Sequence, residues 1–275
     1  MLSEIEKNGG HFHIPPDVNQ LIDRLKVDNY PELYRDEERL NKMVLLAAMP
    51  ADQINSVLKE LTALEGVARV SAQEEFVRQI ASTNLDILTS IPVDKEETEA
   101  AKQLFESLEP EQQQQAIQQA QIALSAFIPT FYQVMTVMVH GRKLTDLVRA
   151  AESGDDEAFC LAVQMDKRIL SLDYFRDRRN RAELNQEVDF LKSLNYRLTN
   201  PLLRGKIRYK TLWLTFAVLD ASNHLDGSLK HSELLDFCEE VGVVGFDNRI
   251  QDESALGKRL REYRSFQKIN QTSRH

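Results

Sequence analysis

Residues 122–139, IALSAFIPTFYQVMTVMV, run for 18 positions without a charge, and the basic stretch His140, Gly141, Arg142, Lys143 follows at once. A segment like this has to leave water, either inside protein or inside a bilayer. Ser125, Pro129, Thr130, Gln133 and Thr136 interrupt it, and the glutamine-rich residues 112–121 precede it. That polarity, at a length just under the roughly 20 residues a bilayer needs, predicts a buried core helix rather than a membrane span. Pro129 should kink or divide the helix, because its ring removes a donor and crowds the preceding turn.

The glutamines themselves read as a polar helix face rather than a low-complexity tract. Ala116, Ile117, Ala120 and Leu124 keep helical spacing through them. Elsewhere glycine and proline fall mostly between segments of helical apolar period, and β-branched or aromatic runs of strand type are scarce. The fold class expected is all-α: an irregular multi-helix bundle or stacked helical hairpins, with a smaller C-terminal helical unit that could resemble a winged helix. With 42% hydrophobic residues in 275, the chain can build one or two cores.

Individual helices follow from the same signals. Asp17 caps a helix carrying Val18, Leu21, Ile22 and Leu25. Pro31 opens the next, with Leu33, Leu40, Met43, Val44 and Ala47 on one stripe, and residues 51–64 form its hairpin partner. Further helices are expected over about 76–88 and 94–108. Residues 144–170 read as two helices joined at Ser153-Gly154-Asp155, with Asp155 or Asp156 as cap. The absence of proline between Pro129 and Pro201 permits long helices beyond them. Asn200-Pro201 signals another helix start, and Ile207, Tyr209, Leu212, Trp213, Leu214, Phe216, Ala217, Val218 and Leu219 leave it almost no polar face, which makes that helix central. Two more helices, near 232–241 and 254–266, complete the chain, with residues 270–275 frayed.

Charge is unevenly spread. The total is −9, but residues 1–159 carry −13, residues 160–215 carry +6 and residues 254–275 carry +5. The simplest division is an acidic helical domain, 1–150, followed by a helical domain with basic clusters, 151–275. An acidic total disfavours a protein whose whole surface embraces nucleic acid while leaving room for a local basic site.

Two clusters define that site. Arg176, Arg178, Arg179 and Arg181 place paired guanidinium groups on helix faces, suited to phosphate or carboxylate, although Asp173, Asp177 and Glu183 are close enough to neutralise them. In the last helix, Leu256, Leu260 and Tyr263 form a docking face, so Lys258, Arg259, Arg261 and Arg264 should project elsewhere. A third basic run, Arg204, Lys206, Arg208 and Lys210, would crowd the first turns of a helix starting near Pro201.

No catalytic, cofactor or metal-binding set emerges. Cys160 and Cys238 lack the spacing of a thiolate zinc site and read as buried thiols of a reducing compartment. Asp226-Gly227-Ser228-Leu229 with Glu233 resembles the end of an EF-hand calcium loop, but Ser222 and His224 stand where its first acidic ligands belong. His11 and His13 lack an assigned third ligand. The N-terminal residues carry early acids and no apolar run, so a secretory leader is not expected, and the cytoplasm is the expected location. The functional expectation is an interaction or regulatory protein that binds a protein partner through its basic patches. The alternatives are nucleic-acid binding through the C-terminal unit and, behind it, an enzyme whose site is assembled only in space.

Overall fold

In the computed structural model, residues 30–48, 107, 109–200, 207–225, 230–240, 243 and 252–271 are described, and no strand occurs among them. Nine α-helices are present in these residues: α1 (Glu37–Ala48), α2 (Pro110–His140), α3 (Leu144–Glu152), α4 (Asp156–Met165), α5 (Asp173–Leu184), α6 (Val188–Thr199), α7 (Lys210–Ala221), α8 (His231–Glu240) and α9 (Glu253–Gln271). Short 3-10 turns, Tyr30–Arg35 and Lys167–Ser171, precede α1 and α5. The fold is therefore an all-α, multi-helix one. The helices expected over 18–25, 51–64, 76–88 and 94–108 lie outside the described residues apart from Ser107, as does almost all of the segment between α8 and α9 where a wing would fall.

Contacts divide the chain into two compact units. Of the described residues, Tyr30, 46–48, 107 and 109–128 belong to one, and the others belong to the second. In the first, the Gln112 side chain accepts from the backbone N–H of Glu109 at 3.2 Å and so opens α2, with Glu111, Gln112 and Gln114 facing solvent. The glutamine run is helical.

The uncharged run becomes the C-terminal half of α2. Every side chain of residues 128–140 is buried, and the helix passes through Pro129 undivided. Two of its polar groups are bonded inside the protein: Gln133 donates to Thr145 Oγ1 and accepts from the Thr145 backbone N–H, each at 3.2 Å, while Val137 O accepts from Gln267 of α9 at 2.8 Å. Among the described residues no helix is long and apolar enough to cross a membrane.

Proline's absence between 129 and 201 does not yield long helices. The chain is instead cut into four helices of 9 to 12 residues, α3 to α6, by local devices. Gly154 takes φ +99°, a left-handed value glycine accepts cheaply, and Asp155 then caps α4 by accepting from the N–H groups of Glu157 and Ala158. Asp166 caps the 3-10 turn that follows, and Gln186 at φ 55° turns the chain between α5 and α6. Phe159 of α4, Phe175 of α5 and Phe190 of α6 meet at the centre, with ring centroids 4.6 and 5.2 Å from Phe159.

A second aromatic cluster joins α7 to α9: Trp213 lies 4.8 Å from Phe266 and 6.1 Å from Tyr263, and Phe216 lies 5.6 Å from Tyr263. Helix α7 begins at Lys210, not near Pro201. Residues 207–209 are not helical, so Arg208 precedes the helix, while Arg204 and Lys206 lie outside the described residues. At its far end α9 runs to Gln271, because Asn270 is buried and donates to Phe266 O, which holds a turn expected to fray.

The segment 31–45 belongs to the second unit although residues 46–128 intervene before the rest of it. The expected single helix after Pro31 is split at Asp36, whose carboxylate caps α1 through Arg39 N–H at 3.1 Å. Tyr34 donates to Asp166 at 2.8 Å in the interior, and Glu37 accepts from Lys143 at 3.0 Å and from Arg149 at 2.6 Å. Leu40, Met43 and Val44 are buried beside these bonds, on the stripe their spacing predicts.

Candidate functional site

The four arginines of α5 fall into three environments. Arg178 is drawn inward: its guanidinium reaches both Asp156 oxygens at 3.0 and 2.8 Å, bonds Glu187 at 2.7 Å and lies 4.0 Å above the Phe190 ring, leaving 14% of the side chain exposed. The Asp156 hydrogen bonds, followed by those of Glu187, raise its pKa beyond the ordinary arginine value despite the opposing effect of burial. This cation ties α5 to α4 and α6 and is occupied.

Arg176 and Arg179 face solvent and pair along their own helix, with Asp173 at 2.6 Å and Glu183 at 2.9 Å. Such exposed pairs contribute about 0.3–0.5 kcal/mol each. Arg181 is exposed and makes no ion pair among the described residues. With Tyr174, Asp177, Asn180 and Leu184 it lines an open groove of about 520 Å³. Leu184 beside it is 82% exposed.

The four cations of α9 singled out from the sequence, Lys258, Arg259, Arg261 and Arg264, divide in two. Arg264 bonds Asp220 of α7, with Nη2 to Oδ1 at 3.1 Å, and also holds Gln267. Burial alone would lower its pKa, and the Asp220 hydrogen bonds outweigh that to leave it raised. Arg259 pairs with Glu262 at 3.1 Å and stacks 4.3 Å above Tyr209. Lys258 and Arg261 point outward, together with Ser265 and Lys268. These four positions recur at i, i+3, i+7 and i+10, so they form one stripe about 15 Å long with no acidic residue in it. The docking face on the other side of the helix contains buried Leu256 and Tyr263, as their spacing implies. No hydrogen bond, ion pair or ring contact among the described residues links α5 with α9, so Arg181 of the one and Lys258 and Arg261 of the other lie on separate faces.

Arg197 escaped the sequence reading. It is 7% exposed, bonds Glu157 of α4 and Gln164, and is a structural cation like Arg178. The one local signal, a basic residue on the apolar side of α6, identifies burial but gives no hint of its acid 40 residues upstream.

Burial pushes the thiols of Cys160 and Cys238 up to about 12, so neither is a nucleophile at neutral pH. Among the described residues no group of three His, Cys, Asp or Glu side chains is placed to hold a metal. His11, His13 and Asp226 to Leu229 lie outside the described residues, while Glu233 is engaged as a helix cap, accepting from Lys230 N–H at 2.8 Å.

No family model matches this chain, and no curated protein or solved structure matches it either.

Proposed function

We propose that this protein is a cytoplasmic helical interaction module whose α9 stripe docks an acidic surface of a partner protein. The observation that carries the reading is the fate of the cations: Arg178, Arg197, Arg259 and Arg264 are spent on internal acids, whereas Lys258 and Arg261 stand outside on a stripe without one. Charge steering would speed encounter and orient the partner.

The test is a comparison of proteins retained from native lysate by the wild type and by the Lys258→Glu, Arg261→Glu double variant, at about 50 mM and about 300 mM salt. Partners held at low salt by the wild type alone are expected. Retention of the same partners by the folded double variant overturns the reading.

A second reading, nucleic-acid binding, is favoured by one feature: cations and a hydroxyl repeat on a single side of α9 over the length of several phosphates. Titration of duplex and single-stranded DNA against salt decides it, since each phosphate neutralised adds about 0.9, or about 0.7 for single strands, to the magnitude of the slope of log affinity on log salt. The net charge of −9 places this reading second.

A further inference from the structure

Tyr174, Asp177, Arg181 and Leu184 occupy positions i, i+3, i+7 and i+10 of α5, which puts them on one narrow ridge beside the open groove they line. Leu184 is 82% exposed, and Val188, at the start of α6, is 53% exposed. Two large aliphatic side chains so uncovered and so close along the chain mark a surface suited to being covered.

The order along the ridge is aromatic, acid, base, aliphatic, and its midpoint falls at residue 179. Run backwards, the same order sets a base opposite the acid and an aliphatic opposite the aromatic. We infer that this ridge is a self-association surface on which two copies of the chain pair their α5 helices antiparallel about a two-fold axis near residue 179. Asp177 of each copy then faces Arg181 of the other, and Tyr174 of each packs on Leu184 of the other, an isologous contact in which every favourable pair occurs twice.

Charge complementarity selects a second copy over other occupants. Arg181 has no acid of its own among the described residues, and the nearest cation to Asp177 is Arg176 at 3.9 Å, beyond hydrogen-bond length. An acidic ligand brought to Arg181 would also meet Asp177 one helical turn away, and a basic ligand brought to Asp177 would meet Arg181. A surface carrying the same pair reversed satisfies both. Arg176 and Arg179 lie off the ridge, already matched to Asp173 and Glu183. The contact is small: α5 has 12 residues, about 18 Å of helix, so the dimer belongs to the class burying less than about 1,200 Å² and is weak and concentration-dependent.

Sedimentation velocity of the full chain from about 5 μM to about 500 μM tests this, a span of two decades around the affinity a small interface gives. The wild type is expected to be monomeric at the bottom and largely dimeric at the top. Asp177→Arg and Arg181→Asp each place like charges face to face and should weaken the dimer at least tenfold, and so should Leu184→Asp. An equimolar mixture of the two charge-reversed chains should associate as a heterodimer, and the chain carrying both reversals should dimerise like the wild type. Asp177, Arg181 and Leu184 are solvent-facing, so unchanged circular dichroism and melting are expected in each variant. A wild type monomeric throughout, a dimer indifferent to the single reversals, or folded reversed chains that fail to associate when mixed would each overturn the inference.

Discussion

Helices α5 and α9 each carry a cluster of arginines, four and three respectively, yet they leave different surfaces. Each sends guanidinium groups inward over aromatic rings, Arg178 onto Phe190 and Arg259 onto Tyr209, and each is anchored to an acid on another helix, Asp156 or Asp220. The difference lies outside. Two of the three outward cations of α5, Arg176 and Arg179, have Asp173 and Glu183 one turn away on the same helix, whereas Lys258 and Arg261 of α9 have no acid on their stripe. The comparison teaches that the placement of acids, more than the density of arginines, decides which cations remain available to another molecule.

Substitutions can break this contrast. The largest expected effect is Arg178→Ala, which removes three charge-assisted hydrogen bonds and a ring contact. It should destabilise the fold by about 2–3 kcal/mol in urea denaturation, below the full cost of breaking a sealed pair because Asp156 and Glu187 can still hydrate. Loss of under about 0.5 kcal/mol would mean that Arg178 is no more structural than its exposed neighbours.

Next comes Glu37, on the segment fastened to α3 and to Lys143. The Arg149 hydrogen bond first, and the Lys143 bond second, hold its carboxyl below the ordinary value of 4.5. Its contribution is therefore complete above that value and fades as pH falls through the lower, folded-state pKa. Glu37→Gln should cost about 1 kcal/mol at neutral pH. Thermal melts of the two proteins should converge in acid below the ordinary glutamate value. A gap that stays constant down to the acid transition would remove this account of the clasp.

A smaller change of opposite sign is expected within α9. Gly257 sits inside this helix, and a Cβ there would meet only the edge of the His231 ring, at 3.4 Å. Gly257→Ala should raise stability by up to about 1 kcal/mol through helix propensity. Destabilisation would show that α8 and α9 need the closer approach. The smallest effects belong to the surface cations: Arg179→Ala and Arg261→Ala should each shift stability by less than about 0.5 kcal/mol. Their effects on salt-dependent binding should differ, with Arg261→Ala weakening it and Arg179→Ala leaving it unchanged.

Local signals made much of the fold legible. The apolar period placed Leu40, Met43 and Val44 inside, Asp155 capped α4, and Leu256 and Tyr263 formed the buried side of α9. Reading failed where short-range cues competed. Asp36 divides the helix expected after Pro31, and α7 waits until Lys210 although Asn200-Pro201 offered an earlier start. At the basic clusters the sequence supplied the residue types and their helical faces. It could not supply their partners, since Asp156 lies 22 residues from Arg178, and Asp220 lies 44 from Arg264.

The sequence by itself determined that this chain is helical, that residues 122–139 carry the makings of a core helix, and that cations concentrate on α5 and α9. Those properties depend on neighbours within one or two turns, over which propensity, capping and amphipathic period act. Only the tertiary structure decided which cations are spent and which are free, and that segment 31–45 packs in the same unit as residues beyond 129. Coulombic pairing and burial act through space, between groups whose separation along the chain is arbitrary.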